Sequence, residues 1–258
     1  MATKDLISVE LSKIEDQEKV KILYAVESGR RGWGFESQNS DYDVRFIYIH
    51  PLDWYLSIEE GRDVIEYPLA NQLDINGWDI KKALKLFKNS NPPIYEWLTS
   101  PIVYIEDGDF AQKLRGLIPP FYSPVSSMYH YLSMAKRNYK AYLMGQKVKT
   151  KKYFYVLRPI FACMWIKKYK TMPPMEFEKL VTGQKLDKKV VNEVKKLLDR
   201  KRSGEELDFE DRVEIINDFL EEKINYFEDY KKKMSKRQHS KVDLLDKLFR
   251  DTVKVWKR

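Results

Sequence analysis

Asp41 and Asp43 flank Tyr42 in the run SDYDVRFIY (40–48), twelve positions or more beyond Gly29. The alternation of polar and apolar residues there predicts a strand. Positions i and i+2 of a strand share a face, so both carboxylates point the same way. Adjacent carboxylates repel one another unless a cation lies with them. Magnesium fits, because it takes one or two carboxylates together with substrate phosphates. Upstream, KILYAVESG (21–29) is a β-branched and aromatic run that ends on a glycine. At such a glycine the chain can turn sharply and bring its N–H groups close to a ligand. If the following RRGWGF opens a helix, those donors and the helix dipole suit a phosphate. A phosphate cradle beside metal-binding carboxylates is the chemistry of nucleotidyl transfer. Each part alone is ordinary, since many turn-to-strand junctions carry two aspartates with no metal; the combination is more specific.

The elements that must position these groups can be read from periodicity. Residues 5–20 read as a surface helix, 21–29 and 41–50 as strands, and RDVIEYPL (62–69) and QLDI (72–75) as further short strands. GWDIKKALKLFKNSN (77–91) places Ile80, Ala83, Leu84 and Phe87 on one face, an amphipathic helix stopped by Pro92 and Pro93. The Pro-, Gly- and aromatic-rich stretch 101–124 reads as a domain boundary. Six helical patterns follow it, within 126–145, 151–170, 174–183, 188–204, 211–233 and 240–257. The expected fold class is α+β: a mixed sheet with helices over 1–120, then a basic helical bundle over 121–258. The tyrosines 129, 131, 139 and 142 read as bundle packing rather than as a base-stacking platform.

Composition narrows the class. The chain has 258 residues, 47 Lys and Arg against 39 Asp and Glu, and a net charge of +8. Residues 1–130 carry −6 and residues 131–258 carry +14, which suits cations in the first half and polyphosphate or nucleic acid in the second. Lysine-rich surface helices explain the same bias without a ligand. A single cysteine, Cys163, excludes a disulfide framework and reads as a buried, inert thiol. His50, His130 and His239 have no metal-ligand spacing. No apolar run is long enough to span a membrane and the N-terminus lacks a signal-peptide core, so the expectation is a soluble cytoplasmic protein.

The same residues resemble a known family. ESGRRGWGF (27–35) and SDYDVRFIY (40–48) are similar to the ESGSRAWGF and SDYDVRFIY of the nucleotidyltransferases of the DNA polymerase beta superfamily, in the bacterial and phage branch found beside RNA ligase genes. The similarity continues through HPLDWYLSI (50–58), RDVIEYP (62–68), LDINGWDIKKAL (73–84), SNPPIYEWLTSPIVY (90–104) and KKYFYVLRPIFACMWI (151–166). The resemblance implies that Gly29 contacts nucleotide phosphates, with Arg30 and Arg31 beside it. It implies that Asp41 and Asp43 bind metal, two Mg²⁺ ions in all, and that a third carboxylate completes the site. Asp74 is favoured for that third place and Glu66 is the alternative. In related two-domain enzymes the helical domain closes over the triphosphate, which points to Lys152 and Arg158 as phosphate contacts with Tyr155 nearby. Pairing of Arg158 with a carboxylate is the competing reading.

One position departs from the pattern: the Ser of the Gly-Ser motif is Arg30 here. A guanidinium can grip phosphate bidentately or fill the place where a triphosphate lies. The expected activity is therefore Mg²⁺-dependent transfer of NMP, with AMP favoured, from an NTP to a hydroxyl with release of pyrophosphate. RNA is an expected acceptor and an RNA ligase an expected partner. The alternative is a catalytically degraded module that binds nucleotide or RNA.

Overall fold

The structure, a computed structural model, describes residues 3–36, 40–70, 72–205, 207–235 and 241–256; His239 lies outside them. The chain divides into two compact units. The first comprises residues 1–32, 41–122 and 238–258, and the second residues 33–40 and 123–237.

The first unit is built on a five-stranded sheet. Its strands are β1 (Lys21–Glu27), β2 (Tyr42–Ile49), β3 (Val64–Ala70), β4 (Leu73–Asp79) and β5 (Val103–Glu106). Their order across the sheet is β3-β4-β2-β1-β5. Only the β2–β4 pair is parallel, and it runs in unbroken register from Tyr42↔Leu73 to Tyr48↔Asp79. Helix α1 (Thr3–Glu18) buries Ile7, Leu11 and Ile14, at helical spacing, in one cluster with Ile22, Ala25, Val44, Phe46 and Tyr48. Ile47 and Ile49 alternate with those β2 residues and are equally buried, so the sheet is covered on both faces. Helix α2 (Gly29–Trp33) follows β1, and α3 (Leu52–Tyr55) follows β2.

The helix expected from Gly77 begins later. β4 continues to Asp79 because its ladder with β2 runs that far, and Gly77 packs under the Phe46 ring, where a Cβ would come within 2.3 Å of two ring atoms. Asp79 then caps α4 (Ile80–Lys88), its carboxylate accepting the Lys81 N–H at 2.7 Å. Pro92 and Pro93 open the next helix, α5 (Pro92–Leu98), where the missing N–H groups have no cost. The stretch 101–124 is structured: it holds β5, α6 (Phe110–Gly116) and α7 (Ile118–Phe121).

The second unit is helical. It contains α8 (Pro124–Tyr142), a single 3₁₀ turn (Thr150–Tyr153), α9 (Phe154–Tyr169), α10 (Phe177–Thr182), α11 (Lys188–Arg202) and α12 (Glu214–Lys232). A small antiparallel pair, β6 (Lys147–Lys149) with β7 (Phe209–Asp211), accompanies them. α9 is apolar on nearly all sides and forms the axis of the core, with Val156, Leu157, Ile160, Phe161, Cys163 and Ile166 buried. Phe35 joins this core, stacked on Phe154 at 4.8 Å and edge-on to Phe177 at 5.5 Å. Among the tyrosines of α8, Tyr131 is buried packing as expected, whereas Tyr129 and Tyr142 are exposed.

The last helix, α13 (Val242–Val255), belongs to the first unit, whereas the sequence pattern placed it with the bundle. It packs against α4 and α6 through a face that buries Leu245, Leu248 and Val253. An amphipathic helix states that it needs an apolar partner but not which one, so periodicity alone cannot assign it.

Candidate functional site

Gly29 sits at the turn between β1 and α2 with φ +67°, a conformation that favours glycine. A Cβ here would lie 2.0 Å from Asp43 Oδ2. Glycine is thus required twice, once for the turn and once because the Asp43 carboxylate lies against its Cα. The turn is tied to β2 by the Ser28 N–H, which donates to the Asp43 carbonyl at 2.7 Å.

Asp43 and Asp74 are register partners on the parallel pair β2–β4. Arg45, two residues along β2, joins them. Its Nη2 donates to Asp74 Oδ2 at 2.7 Å and lies 3.5 Å from Asp43 Oδ1, while its Nη1 donates to the Asp74 carbonyl at 2.8 Å. Asp41, just before β2, accepts from Arg30 Nη2 at 3.1 Å. The Arg31 guanidinium lies 3.8 Å from the centroid of the Tyr42 ring. Gly29, Arg30, Arg31, Asp41, Asp43 and Asp74 are therefore gathered at one end of the sheet. Glu66 stands apart on β3, exposed and hydrogen-bonded to Arg62 and Asn76.

Beneath this cluster lies Glu27, fully buried at the end of β1. Its carboxylate accepts the Asp43 N–H at 2.9 Å and the Tyr104 hydroxyl at 2.5 Å. Burial pushes its pKa up from 4.5 to about 7, against the pull of those two donors. Burial also raises Asp43, opposed by Arg45 and reinforced by the charge of Asp74.

Sequence reasoning passed over Arg45, Glu27 and Tyr104. An acid closing the otherwise apolar β1 was the available signal for Glu27. Arg45 gave no such sign, because a charged residue in an alternating strand reads as a solvent-facing one.

Three aspartates with all-oxygen donors suit a hard divalent cation. As they stand, two guanidiniums supply the positive charge, and among the described residues no group of three or more His, Cys, Asp or Glu side chains is close enough to form a ready cage. The donor set fits magnesium in kind, provided the arginines give way.

In the second unit, Lys152, Tyr155 and Arg158 form a separate group around Trp33. Arg158 is buried, with its guanidinium 4.6 Å from the Trp33 ring centroid and its Nη2 donating to the Met175 carbonyl at 3.3 Å. Tyr155 meets Trp33 edge-on at 6.0 Å, and Lys152 Nζ lies over both Tyr142 and Tyr155. Cys163 is buried and its thiol pKa is raised by that burial, as expected of an inert thiol. Among the described residues, no helix is long and apolar enough to cross a membrane.

Comparison with known proteins bears on this arrangement. An uncharacterised protein of Bacillus subtilis (strain 168), YcgL, is 51% identical over 255 residues, covering 98% of each chain. A nucleotidyltransferase-like protein from Exiguobacterium sibiricum 255-15, known from a crystal structure, aligns over all of this chain and 81% of its own at 13% identity. Its TM-score of 0.32 is too low to bear on the fold. Residues 3–251 match the family described as RlaP, the RNA repair pathway DNA polymerase beta family. With that match over nearly its whole length, the chain belongs to the RNA repair pathway DNA polymerase beta family.

Proposed function

We propose that this protein is a Mg²⁺-dependent nucleotidyltransferase that moves a nucleoside monophosphate, AMP being favoured, from an NTP to a hydroxyl of RNA and releases pyrophosphate. The observation that carries this reading is the close approach of Asp43 to Gly29 while Asp43 is register-paired with Asp74. A turn without a side chain thereby meets the carboxylates where a polyphosphate has to meet a metal. Asp41, Asp43 and Asp74 would hold the magnesium, which when bound neutralises phosphate oxygens and lowers the pKa of a coordinated hydroxyl.

The chain's own residues supply the rest. Gly29 lets phosphate approach the backbone. Arg30 and Arg31 bring guanidinium groups to the same turn. Asp74 receives the proton of the acceptor hydroxyl. Glu27 holds the Asp43 amide, and so the direction of the Asp43 side chain, through a buried hydrogen bond.

The test is pyrophosphate release from each NTP with pooled RNA and Mg²⁺, set beside calorimetric titration of nucleotide and metal. Replacing Asp41 and Asp43 together by alanine is expected to abolish turnover, by a factor of about 10³ or more, with the fold intact. Retained turnover would remove the carboxylates from the mechanism.

A second reading, a nucleotide- or RNA-binding module without turnover, is favoured by one observation: Arg30 already occupies Asp41. Arg30→Ser separates the two. If the serine variant gains an activity that the starting protein lacks, Arg30 is the mark of a degraded site. If both are active and the variant binds Mn²⁺ more tightly, Arg30 is only a displaceable counter-charge.

A further inference from the structure

Five aromatic side chains are exposed among the described residues: Tyr129, Tyr142, Tyr169, Phe209 and Tyr226. All five lie in the helical unit; the large apolar residues exposed on the sheet unit are aliphatic. Each of the five rings has a lysine ammonium within about 5 Å of its centroid.

Two helices, α9 and α12, bring part of this basic and aromatic set together. Lys231, which covers Tyr129 of α8 at 4.8 Å, lies about 140° round α12 from Tyr226, so Tyr129 stands on another flank of that helix. Along α12, Tyr226 and Tyr230 lie 6.0 Å apart with nearly parallel rings. Lys167, near the end of α9, covers Tyr226 at 4.5 Å, and Lys170 Nζ donates to the Tyr230 hydroxyl at 2.7 Å. Neither Lys167 nor Lys170 takes part in an ion pair among the described residues, whereas Lys231 is paired with Glu228. The dipole of α9 accounts for cations at its C-terminus. It does not account for tyrosine faces gathered under them, nor for the absence of exposed aromatics on the other unit.

Ring faces that accept any base, interleaved with ammonium groups spared from internal pairing, are the two components of sequence-tolerant single-strand binding. The +14 charge of residues 131–258 gives a polyanion the complementary field. We propose that the patch formed by Tyr226 and Tyr230 of α12 with Lys167 and Lys170 of α9 is a docking surface for single-stranded RNA. The inference rests on the reading of RNA as acceptor, and it places the body of that RNA on α9 and α12.

The experiment is fluorescence anisotropy of a short labelled oligouridine with the full chain, in EDTA and without nucleotide, over a series of salt concentrations. Tyr226→Ala with Tyr230→Ala is expected to weaken binding by about tenfold or more, while Tyr226→Phe leaves it unchanged. Lys167→Gln with Lys170→Gln is expected to reduce the slope of log affinity against log salt by about 0.7 per lysine. Tyr226 is exposed and Tyr230 half-buried, and an unchanged thermal midpoint of each variant checks that the unit is folded. Undiminished binding by the tyrosine pair or the lysine pair overturns the proposal, as does tighter binding of duplex RNA than of the single strand. The Asp41→Ala, Asp43→Ala variant is expected to bind the oligonucleotide normally, and loss of binding there would move the RNA to the carboxylates and overturn the patch. Absence of pyrophosphate release from a protein whose RNA binding does respond to the patch variants would instead count against the transferase reading alone.

Discussion

Glu27 is a carboxyl group removed from water whose two oxygens each accept a hydrogen bond, one from the Asp43 amide and one from the Tyr104 hydroxyl. Its proton affinity differs between the folded and unfolded chain, about 7 against 4.5. Below pH 4.5 both states hold the proton. Between roughly pH 4.5 and 7 the folded chain keeps a proton that the unfolded chain has released, so stability falls as pH rises through that window. The full difference corresponds to about 3 kcal/mol. In metal-free protein, Glu27→Gln is therefore expected to flatten the decline in urea midpoint across this range; an unchanged slope would show that Glu27 does not titrate there. At this scale the sequence was informative about Gly29, Asp41 and Asp43, because turn glycines and paired acids are local signals. Arg45 was hidden because its partner Asp74 is 29 residues away, and only the parallel register brings the two side by side.

At the scale of elements, the parallel pair β2–β4 does most to assemble the site, since it sets Asp43 beside Asp74. Its far end is secured by Asp79, a buried residue that caps α4 and accepts the Tyr55 hydroxyl at 2.6 Å. Asp79→Ala removes the cap and leaves the Tyr55 hydroxyl without that acceptor. The expected loss is about 2 kcal/mol in urea unfolding, and Asp79→Asn should recover a large part of it. A loss no greater than that of an exposed substitution would mean that water replaces the carboxylate. The amphipathic pattern of α4 was plain in the sequence, but its start was not. Gly77 and Trp78 suit a helix entry or a strand equally well until the ladder to β2 decides. The strand β5 and the helix α6 were likewise masked, because the surrounding prolines and glycines carry a stronger local signal than four strand residues do.

On the scale of the whole molecule, the return of α13 to the sheet unit is the feature that composition concealed. Its lysines belong to the basic half of the chain, yet Leu245, Leu248 and Val253 are buried against the sheet unit's own helices. Removing residues 242–258 is expected to bare the α4 and α6 faces and to destabilise the sheet unit selectively. Hydrogen exchange should then rise in α4, α6 and β1 and stay unchanged in α9. A uniform rise across both units would mean that the two unfold as one.

Phe35 carries a consequence for how this protein can be divided and inherited. The chain leaves the sheet unit after Gly32, supplies the helical unit with residues 33–40, and is back in the sheet unit at Asp41. The run bearing the Gly29 turn thus continues directly into an aromatic plug seated on Phe154 and Phe177. A fragment spanning only 123–237 would lack that plug, and a fragment spanning only 1–122 would have Phe35 without its partners and no α13. Neither unit is a portable module that a recombination event could transfer as one uninterrupted stretch of gene, so the two are passed on together or not at all.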